Sequence, residues 1–220
     1  MTLEDSRRYG HAPARGVDLR GNLCGSDGRH GVRKTRARAW DALRSKVKNE
    51  EVLNHSLGVE AMMREMARTK PENDAEEWAL AGLLHDIDIA TTDNNLSVHG
   101  VAGARMLRDL GFSEAVAYAV SAHDDHTGIA RKSRMDHALY CADQVYWKIM
   151  GTGLSFPSAA IKSAAPASVW QQVQEGRSAN ALARLSGECA AGGLTMTQAF
   201  EAAIAGLRKA MSSLEDRPGN

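Results

Sequence analysis

Long apolar runs are missing from this chain of 220 residues. No stretch reaches the ~18 residues that a bilayer crossing needs, and the N-terminus is too polar for a secretory leader. An excess of one charge is missing too. With 27 basic residues against 27 acidic ones, no bulk field recruits nucleic acid or an anionic membrane. Cysteine is scarce: Cys24, Cys141 and Cys189 are odd in number and widely spaced, which indicates neither a disulfide framework nor a cysteine zinc site. These absences fit a soluble protein of a reducing cytoplasm. No segment alternates with period two for long enough to form a strand, and there is no internal repeat.

Residues 1–35 hold few large apolar side chains and carry Gly10, Gly16, Gly21, Gly25, Gly28 and Gly31 among arginines. Such a stretch cannot offset its ordering entropy by burial, so it reads as a disordered, mildly basic tail. A nucleic-acid-binding arm would need interleaved aromatics, which it lacks. From Arg36 the pattern is helical. Trp40, Leu43 and Val47 mark a first helix, and others are expected over 52–67, 74–87, 98–110, 113–123 and 135–150. Asp74 and Ser113 suit N-caps, and Gly111 and Gly151 suit helix ends. Shorter helices follow near 159–163, 166–174 and 179–189, then a longer one over 196–213. The expected fold is all-α, with residues 36–220 forming one domain and its C-terminal extension.

Ionisable residues interrupt the apolar faces of these helices. His55 shares a face with Val59, Met62 and Met66. His85 follows Trp78, Ala81 and Gly82, a stripe of small residues where another helix can come close. His99 lines up with Ala102, Gly103 and Met106, and His123 continues Ala119 and Val120. Asp143 sits among Leu139, Tyr140, Tyr146, Trp147 and Met150. One buried histidine usually finds a carbonyl partner. Several imidazoles sharing an interior with Asp86 and Asp143 call for cations, because buried charge is otherwise prohibitive. Imidazole suits zinc, iron, manganese, cobalt or nickel, and a carboxylate can bridge two ions. His11 and His30 lie in the tail, and His137 sits off the apolar face of its helix.

The blocks Asn54-His55-Ser56-Leu57-Gly58-Val59, Gly82-Leu83-Leu84-His85-Asp86-Ile87-Asp88, His99-Gly100-Val101-Ala102-Gly103-Ala104 and Ala142-Asp143 resemble the HD superfamily of metal-dependent phosphohydrolases. The second block is similar to the HDIG variant, with Asp88 where that variant has glycine. The resemblance covers about 51–150 well and 36–214 more loosely. It implies that His55, His85, Asp86 and Asp143 hold one metal, and that His99 and His123 add a second, with Asp86 bridging. The spacing from His99 to Asp143 also resembles that of bacterial HD proteins that split diadenosine tetraphosphate symmetrically. His126 would replace His123 if the helix ran on, although His123 continues the apolar stripe better; His126 is otherwise a substrate-side candidate.

The implied activity is hydrolysis of a phosphate ester or anhydride of a small metabolite, a nucleotide, by a metal-activated hydroxide. Asp86, Asp88 and His126 are the catalytic candidates. Asp88 is open to three roles: orienting a ligand, donating a proton to the leaving group, or capping a loop or helix. Arg131, Lys132 and Arg134 follow the histidine segment, where phosphate contacts would be useful and where a solvated charged loop would look the same. The resemblance leaves two other classes open, a di-iron oxygenase and a regulatory module that binds a nucleotide without cleaving it. Substrate and oligomeric state are not legible in the sequence.

Overall fold

The structure is a computed structural model that describes residues 28–93, 95–175 and 178–215, with side chains described from residue 35 onward. These residues form ten α-helices: α1 Gly28–Lys46, α2 Glu50–Ala67, α3 Ala75–Leu84, α4 Val101–Asp109, α5 Glu114–Ser121, α6 Arg134–Met150, α7 Ala160–Ser163, α8 Pro166–Glu175, α9 Ala179–Ala191 and α10 Met196–Glu215. No strand occurs among them, so the chain is all-α as expected. None of the described helices is long and apolar enough to cross a membrane.

The helix starts follow local chemistry. Asn49, Asp74, Ser113 and Ser178 each accept a backbone N–H of the first turn through the side chain. Ser133 and Asp136 form a reciprocal capping box at the start of α6, satisfying donors that a helix N-terminus leaves unpaired. The buried face of α2, with Val59, Met62, Met63 and Met66, is the spine of the core, and α3, α6 and α10 pack around it. The small-residue stripe on α3 lets that helix come close to α2, as Gly206 does on α10. A Cβ at Gly82 would stand 2.7 Å from the Val59 carbonyl oxygen, nearer than any side chain tolerates.

Several expected boundaries move. Helix α1 begins at Gly28, inside the stretch expected to be a tail; the rest of that stretch lies outside the described residues. Helix α3 stops at Leu84, α4 starts at Val101 and α5 stops at Ser121. His85, Asp86, His99 and His123 therefore sit on helix ends and turns, not mid-helix. The cysteine reading also needs correction: Cys141 on α6 and Cys189 on α9 form a disulfide with Cα atoms 5.2 Å apart. Their separation of 48 residues hides a contact that only the packing of α9 against α6 creates. The cysteine count therefore no longer argues for a reducing compartment.

Candidate metal centre

His55 from α2 and Asp143 from α6 project mid-helix toward the turn that carries His85 and Asp86. His55 Nε2 lies 3.0 Å from His85 Nε2 and 3.1 Å from Asp143 Oδ1. Asp86 Oδ2 lies 3.2 Å from His85 Nε2 and 3.5 Å from His55 Nε2. The other oxygen of Asp86 faces a second pair, 3.1 Å from His99 Nε2 and 3.7 Å from His123 Nε2. Two groups of donors result, His55–His85–Asp86 and Asp86–His99–His123, each with its atoms within 4.8 Å of one another. Asp143 adjoins the first. Asp86 belongs to both.

The helix ends explain why these imidazoles point inward. His85 Nδ1 donates to the Gly82 carbonyl at 2.8 Å, and His123 Nδ1 donates to the Val120 carbonyl at 2.7 Å. The acceptors are three residues back in the last turns of α3 and α5, where carbonyls have no partner within the helix. His99 Nδ1 donates instead to Asp88 Oδ1 at 2.8 Å. A neutral imidazole with its proton fixed on Nδ1 presents a bare Nε2 lone pair, and all three direct it at Asp86. The turn before α4 depends on Gly100 (φ 77°), where a Cβ would meet the Val120 carbonyl oxygen at 2.7 Å. His55 differs: its Nδ1 is buried without a hydrogen-bond partner.

Bare lone pairs facing carboxylate oxygens repel unless protons or cations lie between them. Burial disfavours the imidazolium of His85 and of His99, yet the neighbouring Asp86 carboxylate, joined at His99 by Asp88, outweighs it. Their pKa values rise to about 9 and about 10. Burial likewise opposes the charge of Asp86 and Asp143, but the adjoining histidines hold both carboxyls below the usual range, Asp86 well below it. Burial, then the nearby His85, lowers His123. The interior is thus built for positive charge at two points. Donors bonded about 2.1 Å from one ion are spaced roughly 3.0–3.4 Å apart, and the closest pairs, at 3.0–3.2 Å, match this. The residues fit divalent metal.

Of the open roles for Asp88, its surroundings suit orientation of a ligand. Its side chain is 0% exposed; Oδ1 accepts from His99, and Oδ2 accepts from the backbone N–H groups of Gly100 and Gly103 at 2.9 and 2.7 Å. The carboxylate thereby fixes the position of the His99 ring. His126 stands outside both donor groups, 62% exposed, with Nδ1 2.6 Å from Asp124 Oδ1, because α5 ends at Ser121 and His126 lies in a separate 3₁₀ turn, Asp125–Thr127. Arg131 is mostly buried and pairs with Glu188 and Asp125 at 2.8–2.9 Å while donating to the Ala122 carbonyl. It braces the turn behind His123, its charge already matched. Arg134 pairs with Glu72, and the Lys132 ammonium lies over the Tyr118 ring. The three cations do not gather into a phosphate cradle.

The sequence places Trp147 on the apolar face beside Asp143, yet it is 55% exposed. The stripe opens to solvent there, and the indole stacks on His55 with centroids 4.8 Å apart. Tyr146 meets the same imidazole edge-on at 4.6 Å. These rings enclose the one histidine of the two donor groups whose Nδ1 lacks a hydrogen-bond partner. Their spacing of three and four residues from Asp143 was the available signal, but it does not distinguish core from rim.

Residues 52–147 match the family model described as HD domain. Over 79 residues the chain is 40% identical to an uncharacterised protein, MJ0778, of Methanocaldococcus jannaschii, an alignment covering 34% of this chain and 46% of that protein. The chain therefore spans about half the length of that relative. No solved structure matches it significantly. The matched segment runs from the start of α2 to one turn beyond Asp143 and contains every residue of the two donor groups. Residues 52–147, a little under half of the chain, thus match the HD domain, consistent with an HD-superfamily protein.

Proposed function

We propose that the chain is a binuclear phosphohydrolase that cleaves a phosphate ester or anhydride of a small metabolite, a nucleotide. The observation that carries this reading is the division of Asp86, one carboxylate oxygen toward His55 and His85 and the other toward His99 and His123. His55, His85, Asp86 and Asp143 would hold one divalent transition metal ion, and Asp86, His99 and His123 the other. Bound ions of this kind supply Lewis acidity that makes water a competent nucleophile near neutral pH and offsets charge developing on phosphoryl oxygens. The protein's own contribution is positional: helix-end carbonyls and Asp88 fix the imidazoles, so little reorganisation accompanies reaction. Asp86 and Asp143, each 15% exposed against 1–4% for the four histidines, mark the side from which a phosphoryl group enters. His126, exposed and held by Asp124, is kept as the substrate-side candidate.

Elemental analysis of aerobically and anaerobically purified protein, coupled to phosphate release over a nucleotide panel, tests the proposal. Two ions per chain and turnover of one substrate class are expected, with both lost in Asp86→Ala. Unchanged turnover in that variant would end the reading. Oxygen consumption by iron-loaded protein without phosphate release would assign the centre to di-iron oxygenase chemistry. Tight nucleotide binding by metal-free protein would assign a regulatory module.

A further inference from the structure

The centre meets solvent chiefly at its two carboxylates, and the most exposed large apolar side chain among the described residues stands beside one of them. Trp147 follows Asp143 by one turn of α6 and is 55% exposed. One face of its indole rests on His55, interplanar angle 27°, and Tyr146 abuts it at 87° with centroids 5.4 Å apart. With one face covered and half the side chain open, the other face is presented to solvent. The two other exposed large hydrophobic side chains among the described residues, Leu96 and Val98, precede His99 within three positions. Apolar surface is thus concentrated next to ligands at both donor groups. Scattered single apolar residues need no explanation, but a large aromatic ring stacked on one ligand and flanked by a second ring at the rim of a polar centre suits recognition of a planar group.

We infer that the outer face of Trp147 is the stacking platform for a planar aromatic group of the substrate, a nucleobase joined through its sugar to the phosphate at the metal centre. The inference rests on the reading of that centre as a phosphate site, and it adds the feature that separates nucleotides from other phosphorylated metabolites. Every base has a π-face, so the platform tolerates all of them and discriminates against base-free sugar phosphates, by roughly 10- to 100-fold given the strength of base–aromatic stacking.

The test is calorimetric binding to the manganese-loaded full chain of two phosphonates in which methylene replaces the ester oxygen, the analogues of adenosine 5′-monophosphate and of ribose 5-phosphate. The adenosine analogue is expected to bind about 10- to 100-fold tighter. Trp147→Ala should bring the ratio near one, and Trp147→Phe should retain part of it, with metal content measured alongside. Quenching of indole emission by the adenosine analogue, lost in Trp147→Phe, reads the same contact in a variant that keeps a ring against His55. A ratio near one in the wild type overturns the inference. So does an Ala variant that weakens both ligands equally, since the indole would then serve only to hold His55. Discrimination without phosphate release from any nucleotide removes the hydrolase and leaves the platform; turnover without discrimination removes the platform alone.

Discussion

Replacing Asp88 with asparagine separates the chemistry of its two oxygens. Oδ2 accepts the N–H groups of Gly100 and Gly103, while Oδ1 accepts only from His99 Nδ1. Asparagine has one oxygen and one amide nitrogen in the same volume. The backbone pair holds the oxygen, so the NH₂ turns to His99 and donates to Nδ1, moving the imidazole proton to Nε2. A protonated Nε2 cannot ligate. Loss of such an orienting partner weakens metal binding about 10- to 100-fold, or roughly 1.4–2.7 kcal/mol, and the loss should fall on the ion held by His99 and His123. Asp88→Ala instead strands three buried donors at about 1–3 kcal/mol each. That places its destabilisation at roughly 3 kcal/mol or more, a fall in Tm of roughly 6–12 °C at this chain length. Metal titration calorimetry and elemental analysis after dialysis read the first effect, and thermal unfolding in chelator reads the second. The Asn variant should fold nearly as well as the wild type yet keep one tight ion. Two ions at wild-type affinity would refute the tautomer argument, and destabilisation equal to that of the Ala variant would refute the division between the oxygens.

Gly82→Ala forces a Cβ to 2.7 Å from the Val59 carbonyl oxygen and 3.0 Å from the Glu60 Cα, backbone that cannot yield. Overpacking of this kind costs about 1–3 kcal/mol and should lower Tm, whereas Gly187→Ala on α9, with nothing within 4 Å of the added methyl, should raise stability by about 0.4–1 kcal/mol. Thermal unfolding of both variants checks the pair. Reduction of the Cys141–Cys189 bond reopens a segment spanning 48 residues and should cost about 2–4 kcal/mol through the unfolded chain; thiol titration of denatured protein should find two more thiols after reduction. Acid should act partly through Glu188: burial opposes its charge, but hydrogen bonds from Arg131 and His137 hold its pKa below 4.5. A depressed folded pKa gives stability that is complete above about pH 4.5 and is lost as pH falls toward the folded value. Glu188→Gln should therefore flatten the acid limb of a stability–pH curve below pH 4.5, and an unchanged limb would show that the network around Arg131 contributes nothing there.

Helix caps, the all-α class and the placement of acids and imidazoles on inward positions are local properties, and they were legible from sequence. Asp74 and Ser113 cap helices because their side chains reach N–H groups two or three residues on, which depends on nothing distant. The small residue at Gly82 likewise announced a close approach, without naming α2 as the partner. Tertiary structure decided what lies across space. It put His85, His99 and His123 on helix ends and turns, where their Nδ1 atoms find acceptors. It buried Asp88 beneath His99, joined Cys141 to Cys189, spent Arg131 on Glu188 and left Trp147 at the rim. Each of these is a pairing between elements, and a pairing has no trace in local periodicity. The sequence determines which groups must avoid being buried alone; the fold alone determines which partner each one meets.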